Sequence, residues 1–135
     1  MGHPIKHFKT ITKHRHAVIR HCAKCGILWQ GLRHDLSKYT PSEFLVGAHY
    51  YLGEKSPNEA ERQENGYSLA WMHHKGRNKH HFEYWYDYNA PNETPVMPFK
   101  YFLELVCEDC GNSVAIDFAD TKAMEEILKN SKIEF

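Results

Sequence analysis

The chain has 135 residues, a length that fits one domain with one modest core and leaves no room for two. Seventeen Lys plus Arg against seventeen Asp plus Glu give a formal charge of zero, which argues against a protein that wraps nucleic acid or lies on an anionic membrane. With 41% hydrophobic and 13% aromatic residues the chain is supplied for a core, and its apolar runs fall far short of the roughly 20 residues that span a bilayer.

In chain order, the N-terminus MGHPIKHFKT lacks the apolar stretch of a signal peptide, so a soluble, cytoplasmic protein is expected, with its four cysteines mostly as thiols. From Ile5 to about Trp29, the positions Ile11, His14, Val18, Cys22 and Cys25 recur at three- and four-residue spacing and predict one helix stripe. Gly26 and Gly31 bracket its end and the start of a second helical segment that carries Leu32, Arg33, His34, Asp35 and Leu36. Thr40-Pro41-Ser42-Glu43 reads as a capping box opening a helix through Phe44, Leu45, Ala48 and Tyr51, closed by Gly53. Ser56-Pro57-Asn58-Glu59 repeats that chemistry and predicts a helix carrying Ala60, Tyr67, Ala70, Trp71 and His74, with Gly76 as its stop. A short aromatic helix over 80–86 follows, then a Pro-rich connection over 89–98. The next predicted helix spans about Phe99 to Cys110 with Phe102, Leu103 and Val106 on one face. A last one lies near Thr121 to Lys129, and a strand near Ser113 to Phe118 is a weaker expectation. The fold class expected is therefore all-α, a single-domain helical bundle over residues 1–135.

Charge cancels without being even. Residues 1–40 hold eight basic side chains against Asp35 alone, and residues 101–135 hold eight acids against three lysines. Complementarity between the two thirds is the plain reading, and a basic surface beside an anionic substrate is the other.

Histidine carries the chemistry. There are eleven, and eight fall in two windows, 14–34 and 73–81, although imidazole is a mediocre core filler and a mediocre solubiliser. Adjacent His34 and Asp35 offer a nitrogen and a carboxylate to one divalent ion. His14 lies on the apolar stripe upstream, where an unpartnered imidazole is costly. His73-His74 and His80-His81 lie downstream in WMHHKGRNKHHFEYW, a string suited to a metal centre beside an anion pocket. Bland alternatives stay open at each position. His14 can be a hydrogen-bonded core histidine, and adjacent histidines on a helix point about 100° apart, so one of each pair can be structural. His3, His7, His16, His21 and His49 show no partner pattern, and Trp71, Phe82, Tyr84 and Trp85 read as core aromatics.

A helix His, then His-Asp in HDLSK, then HH, then a late acid resembles the HD-domain superfamily of metal-dependent phosphohydrolases. HDLSK is similar to the HDIGK string of its HD-GYP branch, and HHKGRN to that branch's HHExxDG segment. TITKHRHAVIRHC, GLRHDLSKYTPSEF, AHYYLGEKSPNEAER, GYSLAWMHHKGRNKHHFEYWYDY and MPFKYFLELVC also resemble blocks of a bacterial and phage family within this HD-like group, one without an established substrate. The likeness covers about Phe8 to Val106, and residues 107–135 diverge from it. It implies His14, His34 and Asp35 as metal ligands, closed by a late acid. In Cys107-Glu108-Asp109-Cys110, Glu108 keeps the register and Asp109 keeps the residue type.

The resemblance implies one or two divalent transition metal ions (Mn, Fe, Ni or Zn) and hydrolysis of a phosphoester or phosphoanhydride in a small phosphorylated substrate, a nucleotide among the candidates. On that reading Asp35, His73, His74, Lys38 and Arg77 are the catalytic candidates. His73, His74, His80 or His81 would hold a second ion or protonate the leaving oxygen. Lys38, Lys75 and Arg77 would offset phosphate charge, and Asn78 would orient a ligand or cap the helix that follows. One alternative is a metal- or nucleotide-binding module without turnover. Another is a zinc-stabilised interaction protein built on two CxxCG motifs, Cys22-Ala23-Lys24-Cys25-Gly26 and Cys107-Glu108-Asp109-Cys110-Gly111. On that last reading the late helix unwinds near Cys107.

Overall fold

A computed structural model describes residues 2–53, 55–91 and 95–112. Pro4 opens the first helix, α1 (Pro4–Lys24), which buries His7, Ile11, Val18 and Cys22 along the expected stripe and ends where Gly26 turns left-handed at φ 76°. Helix α2 (Leu28–Arg33) lies against it so closely that a Cβ on Gly31 would come within 2.6 Å of Cys22 Cβ.

The second helical segment stops earlier than expected. The chain leaves α2 at His34, and Asp35 adopts a left-handed conformation with φ 53°, the one non-glycine to do so among the described residues. Arg15 fixes this turn from α1 by donating to the carbonyls of Leu32 and His34. A 3-10 turn over Leu36–Tyr39 leads into helix α3 (Pro41–Tyr50).

Neither capping box forms as read. Thr40 Oγ1 donates to the Ser37 carbonyl at 2.6 Å, and Glu43 turns into the protein, where histidines need its charge more than the helix start does. Ser56 likewise makes no side-chain cap, and Glu59 accepts from Arg62 at 2.6 Å. The helix expected from Pro57 to His74 is two helices, α4 (Pro57–Asn65) and α5 (Leu69–Lys75), broken at Gly66 with φ 80°. Ser68 Oγ caps α5 by accepting from Trp71 N at 3.0 Å. Buried Glu61 completes the corner, accepting from Ser68 Oγ at 2.5 Å and from the backbone of Leu69 and Ala70. Residues expected as a helix over 80–86 form only a 3-10 turn, Phe82–Trp85.

Helix α6 (Phe99–Asn112) follows the Pro-rich connection and does not unwind at Cys107. It buries Leu103, Glu104, Cys107 and Glu108, while Phe102, expected on the inner face, is 42% exposed. The strand expected near Ser113 to Phe118 and the helix near Thr121 to Lys129 lie outside the described residues. The architecture is a single all-α bundle, with six helices and no strand among the described residues. Helix α1 is its axis and packs against α2, α3 and α6, while α3 also holds α4 and α5. Val18, Cys22 and Cys107 form the apolar centre, backed by Cys25 and Ile27. No described helix is long and apolar enough to cross a membrane.

Candidate metal centre

The left-handed turn at Asp35 places consecutive side chains in one buried space. His34, Asp35 and His80 are each 1% exposed, and His74 and Glu108 are nearly as deep. Around Asp35 the ligand-type atoms form two groups that share its carboxylate. One is Asp35 with His74, His80 and His81, and the other is Asp35 with His14, His34 and Glu108; within each, the atoms lie inside 4.8 Å of one another.

The histidines are aimed from behind by carboxylates. Glu104 Oε1 accepts from both His34 Nδ1 and His80 Nδ1 at 3.0 Å, and its other oxygen accepts from Gln30 Nε2 at 2.6 Å. Each of these imidazoles therefore presents Nε2 to Asp35. His34, His80 and Glu104 also lie close enough to hold an ion themselves, but their shared contacts are hydrogen bonds, so Glu104 orients the rings. Glu43 does the same on the other flank, accepting from His73 Nδ1 at 2.6 Å and His74 Nδ1 at 2.8 Å. His74 Nε2 then points inward, 2.9 Å from His81 Nε2.

Distances inside the centre fit a cation better than they fit hydrogen bonds. His34 Nε2 lies 3.3 Å from Asp35 Oδ2, His74 Nε2 and His80 Nε2 lie 3.4 Å from Asp35 Oδ1, and His80 Nε2 lies 3.3 Å from Glu108 Oε2. Two ligands about 2.1 Å from one metal stand roughly 3.0 Å apart at a right angle and about 3.4 Å apart at the tetrahedral angle. The Nε2 atoms of His34 and His80 and both oxygens of Asp35 are buried without a hydrogen-bond partner, which a native interior tolerates only when something else satisfies them. Lys38 Nζ forms an ion pair with Asp35 Oδ2 at 2.6 Å, so the centre carries one built-in positive charge. A buried N and O donor set with orphaned lone pairs suits a divalent transition metal.

Charge follows the same geometry. Burial opposes ionisation of Asp35, yet the Lys38 ammonium and the imidazoles of His80, His34 and His74 hold its carboxyl well below the usual range. Glu104 also overcomes burial and is drawn down to about 2 by its bonds from His34, His80 and Gln30. His80 is lifted to about 9 because Asp35 and Glu104 outweigh its desolvation. Burial and nearby positive charge hold His14 to about 4 and His81 to about 3, leaving both neutral at pH 7 and able to offer a lone pair. Glu108 is raised by burial and by Asp35.

Not every residue read from the sequence joins the centre. Of the two late acids, Glu108 faces it and Asp109 is exposed, because neighbours on a helix point about 100° apart. His73 stands behind Glu43, outside both groups. Arg77 is exposed and donates to the His73 carbonyl, and Lys75 is half-buried at the end of α5. Asn78 does not cap the turn that follows it but lies against His74 at the end of α5. It is buried, and its amide donates to the His74 carbonyl and Ser37 Oγ, both at 2.8 Å. Of the expected core aromatics, Trp71 packs on His74 and His81, while Phe82 is 59% exposed.

Access comes from another side. Two adjoining cavities run between α1 and the chain around 51–58, sharing Thr10, Ile11, Lys38, Tyr51, Ser56 and Pro57. The first, about 160 Å³, reaches Glu43 and His74, and the second, about 360 Å³, reaches His14 and Glu108 and includes Lys55. Together they match the size of a small-ligand cleft, with Lys38 where both meet the centre. Lys75, Arg77 and Asn78 line neither cavity.

Glu104 and Glu43 are the site residues that sequence reasoning missed. Glu104 could have been found as an acid one turn before Glu108 on an otherwise apolar helix, whereas Glu43 was hidden by its resemblance to a capping residue.

Residues 3–133 match the family described as "Family of unknown function (DUF5662)", and the chain belongs to that family. No curated protein and no solved structure matches it.

Proposed function

We propose that the protein is a metal-dependent phosphohydrolase in which Asp35 and the histidines around it would hold one or two divalent ions, acting on a small phosphorylated substrate such as a nucleotide. One observation carries this reading: a buried carboxylate is shared by two separate sets of ligand atoms, with Lys38 paired to one of its oxygens. The likeness of HDLSK and the downstream HH pair to HD-domain enzymes supports it. The ligands would be His74, His80 and His81 on one side of Asp35, and His14, His34 and Glu108 on the other.

When bound, such ions supply Lewis acidity and a water whose pKa falls towards neutrality. The protein's own groups do the rest. Glu104 and Glu43 fix the imidazoles in the tautomer that presents Nε2, so little reorganisation remains when substrate arrives. Lys38, at the mouth of both cavities, offsets phosphate charge, and Lys55 extends that positive lining. The hydroxyls of Thr10 and Tyr51, hydrogen-bonded to each other at 2.7 Å on the cleft wall, leave one O–H to donate to an ester oxygen. Arg77 and Lys75 line neither of the two cavities, so this reading gives the charge-offsetting role to Lys38 and Lys55.

The test is a panel of nucleotides and simple phosphomonoesters assayed with added Mn, Fe, Ni or Zn, using Asp35→Asn and Lys38→Gln as controls. Metal-dependent turnover is expected in the wild type. Asp35→Asn should abolish it, and Lys38→Gln should lower kcat/KM on the order of 100-fold, as loss of one charge-stabilising donor does elsewhere. Full metal occupancy without turnover on any member of the panel would favour a binding module instead.

A further inference from the structure

We propose that Cys22, Cys25, Cys107 and Cys110 hold one zinc ion as a tetrathiolate that ties the end of α1 to α6, separate from the histidine and carboxylate centre. The two CxxCG motifs are 82 residues apart in sequence, yet the packing of α1 on α6 brings them together, with Cys107 Sγ 3.7 Å from Cys25 Sγ. The edge of a tetrahedron of thiolates with zinc bonds of about 2.3 Å is about 3.8 Å, whereas a disulfide would need about 2.05 Å.

Local structure suits the role. Cys25 ends α1 and the left-handed Gly26 returns the chain, so Ile27 N reaches the Cys22 carbonyl at 2.9 Å and both sulfurs of that motif sit on one turn. On α6, Cys107 and Cys110 lie one turn apart on an intact helix, so the unwinding expected of a zinc knuckle is absent and the motif would bind from the helix itself. The glycine closing that motif is tight against α1, since a Cβ on Gly111 would come within 3.0 Å of Val18 Cγ2. Cys22 and Cys107 are fully buried beside Val18, and Cys25 and Cys110 are half-buried at the edge. The sulfurs are not yet gathered as closely as the ligand atoms around Asp35, so closure needs side-chain rotation at the half-buried pair.

Zinc would displace the four thiol protons to solvent and hold the resulting thiolates. Because Cys107 and Glu108 project from α6 in different directions, the zinc and the histidine centre can be filled together.

The full chain, produced with zinc and with cobalt, is measured by elemental analysis, native mass spectrometry and visible absorption. One thiolate-bound zinc per chain, over and above any zinc held around Asp35 in the wild type, is expected to remain in Asp35→Asn and to be lost in Cys25→Ser and in Cys110→Ser. The cobalt form should show intense thiolate charge-transfer bands and tetrahedral ligand-field bands. Zinc content unchanged by either cysteine substitution, or cobalt spectra without thiolate bands, would overturn the proposal. So would a zinc-free wild type two hydrogens lighter than the reduced mass, which would identify a disulfide. The cobalt spectrum of the wild type decides even where a cysteine variant does not fold, and Asp35→Asn keeps the result independent of the phosphohydrolase reading.

Discussion

Asp35 adopts a backbone conformation that costs most side chains about 1 kcal/mol or more and that Asp tolerates better than most. That strain is what lets His34 and Asp35, adjacent in sequence, address the same point in space. Glu104 matters nearly as much, because it aims two of the rings. Glu104→Gln should weaken metal affinity about 10- to 100-fold, measured by metal titration, with little change in helix content. Unchanged affinity would remove Glu104 from the centre. A second residue-scale expectation concerns His7, buried against Phe44 and Tyr51, with its pKa lowered by burial and by Lys38. Its folded value lies below the ordinary 6.5, so its contribution to stability is complete above pH 6.5 and is lost as pH falls through the lowered value. Thermal melts between pH 7.5 and pH 5 should therefore fall less steeply in His7→Gln than in the wild type, and parallel curves would contradict this. His34, Asp35, His74, His80 and His81 were legible because residue type and clustering mark them. Choosing between Glu108 and Asp109 was not, since a helix register about 100° different decides it and one sequence does not fix that register.

Among the elements, α1 was readable from its stripe, but the corner between α4 and α5 was not. Ala60, Tyr67, Ala70, Trp71 and His74 keep helical spacing across Gly66, so periodicity hides a break that a left-handed glycine and Ser68 create. Glu61 holds that corner and thereby the approach of α5 to α3. Glu61→Ala would leave the Ser68 hydroxyl proton and two backbone amides without their acceptor, at an expected cost of about 2 to 3 kcal/mol in denaturant unfolding. A cost under about 0.5 kcal/mol would show that water replaces the carboxylate easily. The α1 and α3 contact is equally close. A Cβ on Gly47 would lie 2.4 Å from His7 Nε2 on a rigid ring, so Gly47→Ala should destabilise by about 1 to 3 kcal/mol through forced separation of the helices. Stability equal to the wild type would mean that the ring moves freely.

For the whole molecule, the balance of the interior is unusual. Eleven polar or charged residues are buried among the described residues against seven apolar ones, so burial of hydrocarbon alone is a weak source of stability. Cations bound at Asp35 would convert an orphaned acidic centre into a crosslink between α1, the Asp35 turn, α5 and α6. Metal at 100 times its dissociation constant should add about 2.7 kcal/mol per site, seen as a rise in Tm that chelation reverses. The metal centre itself is tested most directly by anomalous diffraction from crystals grown with manganese. A peak is expected on at least one flank of Asp35, among His74, His80 and His81 or among His14, His34 and Glu108. Crystals with no peak within bonding distance of Asp35, and Lys38 Nζ still against its carboxylate, would contradict that centre.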